Sequence, residues 1–138
     1  MIILDTDIVT LLHAEHPAVA RRLKIEREDI AITIVTLIEV LQGRFDFVMK
    51  AATKAQFLSA QKLLRASSQK LEELPTLFLD EGALDQFEVL RSKKGLKRIG
   101  RADLLIASIA LAKGATLVTR NLKHFRLIPQ LKLENWVD

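Results

Sequence analysis

Residues Ile99–Phe125, IGRADLLIASIALAKGATLVTRNLKHF, decide how this chain folds. Gly100-Arg101-Ala102-Asp103 opens an Ala- and Leu-rich run, Lys113-Gly114 stops it, and Ala-Thr-Leu-Val-Thr follows. The order reads as helix, stop and strand, because glycine tolerates the left-handed conformation that closes helices. Projected at 3.6 residues per turn, Ala102 to Ala112 is apolar nearly all round, which predicts a buried helix. Asp103 is then out of place in its first turn. The positive end of the helix dipole accounts for it, at about 0.3–1 kcal/mol. A metal ion accounts for it equally well, and a second acid elsewhere would favour the metal.

Working outward, Met1–Leu4 reads as a short buried strand ending at Asp5-Thr6-Asp7, polar residues able to cap the next helix, which Ile8, Leu11 and Leu12 continue on one face. In open α/β sheets, sites form beyond the carboxyl ends of strands, so Asp5 sits where chemistry is expected. Asp7 reads as a supporting residue. The spacing predicts a helix over Pro17–Ile25, a strand over Asp29–Thr33 and a helix over Thr36–Phe45. On that third helix Thr36, Glu39, Gln42 and Gly43 form a polar strip, and periodicity alone makes Glu39 a solvated glutamate. His13 and His16 lack carboxylate or histidine neighbours at ligand spacing and read as surface or edge residues.

From Ala51 to Leu74 a seven-residue spacing of Phe57, Leu64 and Leu71, with Ala60, Ser67 and Leu74 between, suits a helix or helical hairpin packed on a neighbour. Pro75 ends it. Leu77–Leu79 reads as a strand, Asp80–Lys94 as a helix with Leu84, Phe87 and Leu90 apolar, closed by Gly95. Asn121–Phe125 reads as a turn, Leu131–Leu133 as an edge strand, and Trp136 as the anchor of the tail. Strands alternating with helices predict one α/β domain over residues 1–138, a three-layer α/β/α arrangement around a mainly parallel sheet. In that layout the carboxyl end of the first strand and the residues around the last one meet at one edge of the sheet.

Composition agrees with a single core: 138 residues, 49% hydrophobic and 28% charged. The absence of cysteine excludes disulfides, thiolate metal sites and cysteine nucleophiles. No basic leader precedes Asp5 and no run approaches the roughly 20 apolar residues of a membrane helix, so a soluble cytoplasmic protein is expected. The formal net charge is +4. Arg91, Lys93, Lys94, Lys97, Arg98 and Arg101 crowd ahead of Asp103, and no acid lies between Leu104 and Leu133. Such runs are ordinarily solvated surface, but this one abuts Asp103 and suits a polyanionic partner.

Three acids therefore stand out: Asp5, Glu39 and Asp103. Carboxylates brought together repel unless protonated or neutralised, and hard cations such as Mg²⁺ or Mn²⁺ neutralise them through oxygen ligands. An ion there can orient a phosphodiester, activate water and stabilise the leaving oxygen; two ions about 3.5–4 Å apart do so from both sides.

Asp-Thr-Asp, the helix-borne Glu39, Gly-Arg-Ala-Asp-Leu-Leu-Ile-Ala, Leu-Val-Thr-Arg-Asn and the closing Leu133-Glu134-Asn135-Trp136 resemble the PIN-domain family, and within it the VapC-type toxins of prokaryotic toxin–antitoxin pairs. The resemblance spans essentially the whole chain. It implies a metal-dependent endoribonuclease acting on single-stranded or structured RNA, usually dimeric and silenced by a VapB-like antitoxin that blocks the site. Carried over by position, Asp5, Glu39 and Asp103 hold the metal, Thr6 and Thr119 are supporting hydroxyls, and Asn121 is a polar neighbour of the metal or its water. Arg98, Arg101, Arg120 and Lys123 are the expected contacts to the RNA backbone.

One departure matters. Many family members carry a fourth acid three residues after that Asn, where this chain has His124. An imidazole suits Mn²⁺ or other transition ions better than Mg²⁺, so His124 is a metal ligand with altered preference, a phosphate contact or a bystander. With fewer carboxylates one strongly bound ion is expected, and Asp7 partly restores the lost charge. The missing acid also motivates an alternative, a catalytically weakened PIN-like module that binds RNA or a partner protein without cleavage. Asp5-Thr6-Asp7 is also similar to the first motif of haloacid-dehalogenase-type phosphatases. Those enzymes need a later Lys and an acidic pair, and no adjacent acidic pair follows Asp103.

Overall fold

The computed structural model describes residues 1–138. Its centre is β1 (Ile2–Leu4), whose side chains explain why helices are needed on two sides. Ile3 packs into one core while Ile2 and Leu4 pack into another, because successive strand residues point to opposite faces. β2 (Ile30–Thr33) and β4 (Thr116–Val118) flank β1, with Ile2 opposite both Ile30 and Thr116 and Leu4 opposite Val118. β3 (Thr76–Leu77) joins β2, and β5 (Lys132–Glu134) joins β4. The order is β3-β2-β1-β4-β5, and every pairing is parallel. A sheet of this kind is covered on both faces, which explains the continuous apolar runs of its inner strands.

One face carries α1 (Thr6–His13), α2 (Pro17–Ile25) and the end of α4 (Lys54–Leu71), through Ile8, Val9, Val19 and Leu71, with Trp136 closing the same core. The other carries α5 (Glu81–Arg91), α6 (Arg101–Lys113) and the short α7 (Leu122–Phe125), through Phe87, Leu90, Ile106, Ile109 and Phe125. α3 (Ile34–Met49) serves both, with Val35 in one core and Val40 in the other. The expected α/β/α domain is therefore present, with a sheet that is wholly parallel. No helix is long and apolar enough to cross a membrane.

α6 is buried along most of its length, as its all-round apolar sequence requires, and its one interior hydroxyl, on Ser108, donates to the Leu104 carbonyl at 2.6 Å. Gly114 closes it at φ +61°, with open space where a Cβ would stand. Gly114→Ala should thus cost about 1–2 kcal/mol through backbone strain alone. Gly43 lies within α3 with equally open space and no positive φ, so Gly43→Ala should gain roughly 0.5–1 kcal/mol. Opposite shifts of the two variants in thermal unfolding are the expected result.

Several sequence expectations are corrected. α3 runs on to Met49, beyond Phe45, and leaves Phe45, Phe47 and Met49 exposed. The heptad seam of α4 buries Ala60, Ser67 and Leu71, whereas Phe57 is 42% exposed. β3 falls at Thr76–Leu77, one residue earlier than expected, and ends before Leu79. On α5 the inward residue is Ala83, since Asp80 caps the helix at the Ala83 amide, and Leu84 is 44% exposed. That helix ends at Arg91 with Ser92 as its cap, and Gly95 belongs to a separate 3₁₀ turn over Lys94–Leu96.

Candidate active site

The sheet order reverses at β1: the chain first adds β2 and β3 on one side and later β4 and β5 on the other. The crevice beyond the carboxyl ends of β1 and β4 is thus a topological switch point. It lies in the middle of the sheet, whereas the sequence reading placed the meeting at an edge. Asp5 leaves β1 there, its amide bonded to the Val118 carbonyl at 2.9 Å. Its carboxylate caps α1, accepting from the Thr6 amide at 2.8 Å, and accepts from the Thr119 hydroxyl at 2.7 Å. Thr119 Oγ1 in turn accepts from the Asn121 amide at 3.0 Å.

Glu39 is exposed, as periodicity predicted, yet it is not free: the Thr6 hydroxyl donates to Oε1 at 2.7 Å. The same Thr6 oxygen lies 2.9 Å from Thr36 Oγ1. A hydroxyl has one proton to give, so with that of Thr6 committed to Glu39 it is Thr36 that donates to Thr6. Thr33, the cap of α3, donates onward to Thr36 at 3.5 Å. Two fully buried threonines therefore feed a hydroxyl relay that ends on the Glu39 carboxylate. Sequence reasoning missed this relay. A threonine at the end of a strand with another three residues later is a capping pattern, and that was its visible signal.

Asp103 is half-buried in the first turn of α6. Asp7 accepts from the Arg120 amide through Oδ2, while its Oδ1 is buried with no partner. None of Asp5, Asp7, Glu39 or Asp103 is ion-paired with a lysine or arginine. Burial pushes the Asp5 carboxyl up to about 7; Asp7 and, more weakly, Asp103 add to this, and the bonds from Thr119 and Thr6 offset part of it. Burial likewise raises Asp103, Glu39 and Asp7 raise it further, and His124 works against them. The dipole of α6 would pull the Asp103 carboxyl down. Burial and the neighbouring acids therefore act on Asp103 in the direction opposite to the dipole.

His124 is exposed on α7, and its Nδ1 lies 3.1 Å from Asn121 Nδ2. An amide nitrogen only donates, so Nδ1 accepts and the imidazole presents Nε2 outward. Arg98, Arg101, Arg120 and Lys123 are all exposed; Arg101 lies 5.3 Å from the Phe87 ring, and Arg120 reaches Asp138 at 3.5 Å.

The donor set suits a hard divalent cation: carboxylate oxygens, hydroxyls, no thiol, and one buried carboxylate oxygen lacking any partner. The carboxylates sense one another, but no three His, Asp or Glu side chains stand close enough to hold an ion between them. The chemistry of these side chains fits such an ion, while their spacing does not bring three of them around one point.

The model of the PIN domain matches residues 2–129. The chain belongs to the PIN-domain family. Similarity extends over nearly the whole length of this PIN protein. Ribonuclease VapC2 of Rickettsia felis is 36% identical over 139 residues, 96% of each chain, and ribonuclease VapC1 of Haemophilus influenzae is 28% identical over 136 residues, again 96% of each. Among solved structures, VapBC2 from Rickettsia felis bound to a fragment of promoter DNA superposes with a TM-score of 0.73 at 34% identity, covering 99% of each chain. VapBC-1 from nontypeable Haemophilus influenzae gives 0.78 at 25% identity over the full length of both.

Proposed function

We propose that this PIN-domain protein is a Mg²⁺- or Mn²⁺-dependent endoribonuclease, the VapC-type toxin of a toxin–antitoxin pair, with the domain running through Asp138. The observation that carries the reading is a group of four carboxylates from β1–α1, α3 and α6 with no lysine or arginine paired to any of them. Unneutralised carboxylates in a cleft are costly unless a cation resides there.

In this reading Asp5, Glu39 and Asp103 hold the ion, and His124 is a further ligand or phosphate contact. When bound, the cation neutralises these acids, polarises the phosphodiester and makes water a better nucleophile. The protein's own groups do the positioning. Thr119 fixes one oxygen of Asp5, the Thr33–Thr36–Thr6 relay fixes one of Glu39, and Asn121 orients the His124 ring. Asp7, through its unpartnered oxygen, supplies the charge that a fourth acid brings in relatives. Arg98, Arg101, Arg120 and Lys123 hold the RNA backbone. A VapB-like antitoxin is the proposed partner, supported by likeness to VapBC complexes, and a homodimer in the cytoplasm is the proposed state.

Purified protein should cleave single-stranded RNA with Mn²⁺ or Mg²⁺ and lose all cleavage on addition of EDTA. Persistence of cleavage in EDTA would remove the metal, and absence of cleavage with either ion would favour the second reading. That second reading is a PIN module that binds RNA or a partner without cutting. It is favoured by the lack of three converged ligands and by His124 in place of an acid.

A further inference from the structure

One turn beyond Thr6 on α1, Thr10 donates its hydroxyl to the Thr6 carbonyl at 3.0 Å. Beside it α1, α3 and α4 enclose a pocket of about 190 Å³, lined by Thr10, His13, Arg44, Ser67 and Lys70 and by no acid. Arg44 Nε donates to the buried Ser67 hydroxyl at 2.9 Å, and Lys70 Nζ donates to the His13 carbonyl at 2.9 Å. Both cations are half-buried, and neither makes an ion pair. Their tethers are neutral, and the acids that share the adjoining cavity with His13 and Lys70, Glu15 and Glu73, form no ion pair with either cation. With Nε occupied, the two terminal nitrogens of Arg44 remain as a fork, the geometry that matches two oxygens of a phosphate. His13 registers the same field. Burial holds its imidazole below the ordinary range, Lys70 and Arg44 add to this, and Glu73 acts against them.

The pocket lies one to two turns further along the helices that carry Thr6 and Glu39. Thr10 and His13 lie four and seven residues from Thr6 on α1, about 6 and 10 Å of rise, and Arg44 lies five residues from Glu39 on α3, about 7.5 Å. We propose that the α1–α3–α4 pocket seats a phosphate group of the RNA strand whose neighbouring phosphodiester lies at the carboxylates. The proposal rests on the nuclease reading for the identity of the strand, and on the pocket alone for the phosphate. Arg44 grips two phosphate oxygens, Lys70 supplies a second charge, and the seat fixes which bond of the strand reaches Asp5 and Asp103.

Binding of a fluorescently labelled single-stranded RNA, measured in EDTA so that no cleavage occurs, separates this seat from catalysis. Arg44→Gln and Lys70→Gln should each weaken binding about tenfold and flatten the dependence of log K on log salt by about 0.7. Arg44→Lys should keep the slope but not the affinity, because charge survives and the fork does not. Inorganic phosphate should raise the His13 titration midpoint, followed by NMR, in the natural protein and not in Arg44→Gln. Lys70→Gln guards against misfolding, since it gives up only a bond to a carbonyl, and thermal unfolding checks both variants. Unchanged RNA binding in folded variants overturns the proposal, whether or not free phosphate still shifts His13. Loss of binding in the variants of a protein that cuts no RNA under any metal would support the seat and refute the nuclease.

Discussion

Asp103→Asn should abolish divalent-dependent RNA cleavage, by about 10²–10³-fold or more, while leaving the protein folded and no less stable. The loss follows from removing a charged ligand whose electrostatic contribution to the transition state is worth several kcal/mol. The intact fold follows from the site itself. Burial and the neighbouring Glu39 and Asp7 already raise the Asp103 carboxyl, so the ionised side chain is a burden on the metal-free protein. The neutral amide removes that burden and forgoes only the dipole interaction, about 0.3–1 kcal/mol. Cleavage of a labelled RNA and thermal unfolding, measured on the same preparation, check both halves. Undiminished cleavage would remove Asp103 from the catalytic group, and an unfolded variant would mean that the carboxylate is structural after all.

The second large effect is a reversal of the pH dependence of stability on adding metal. Burial pushes the Asp5 carboxyl up to about 7 from its ordinary 3.8, so between these values the folded chain keeps a proton that the unfolded chain has released. Its contribution is therefore complete below about pH 4 and is lost as pH rises through 7, a difference on the order of 2–4 kcal/mol. Metal-free protein should lose stability from this source across that window, and Asp5→Asn should flatten the profile. The amide can still accept from Thr6 through its oxygen and give a proton to Thr119 through its nitrogen. With Mn²⁺ or Mg²⁺ the sign changes, because ligands must shed protons to bind and the gain from binding grows with pH. Melting temperatures at pH 5 to 8, with and without metal, supply the check. Identical profiles for the natural protein and Asp5→Asn would show that Asp5 is not the group responsible.

Local signals in the chain carried most of the architecture. Pro17 starts α2 and Gly114 stops α6 because both act through their own backbone geometry, and the alternation of apolar segments was enough for a parallel sheet. The same logic failed where a neighbour decides the outcome. Leu84 and Ala83 differ by one position, and which of them faces inward is set by the cap at Asp80. Gly95 looked like a helix stop, but α5 had already closed at Ser92. For the site, the strand end singled out Asp5 and the apolar helix singled out Asp103, whereas periodicity alone made Glu39 ordinary surface and the metal role of all three came from the resemblance. The bond from Thr6 to Glu39 spans 33 residues, and the Thr36 hydroxyl behind it was read as part of a polar strip. Contacts of that separation leave no periodic trace.

The tie between Thr119 and Asp5 joins positions 114 apart, so one end leaves the ribosome long before the other. Until β4 slots in beside β1, Asp5 lacks its hydroxyl partner. The carboxylate cleft of a nascent chain is thus incomplete until the segment through Thr119 has been made, and its assembly depends on the whole sheet rather than on any one piece of it.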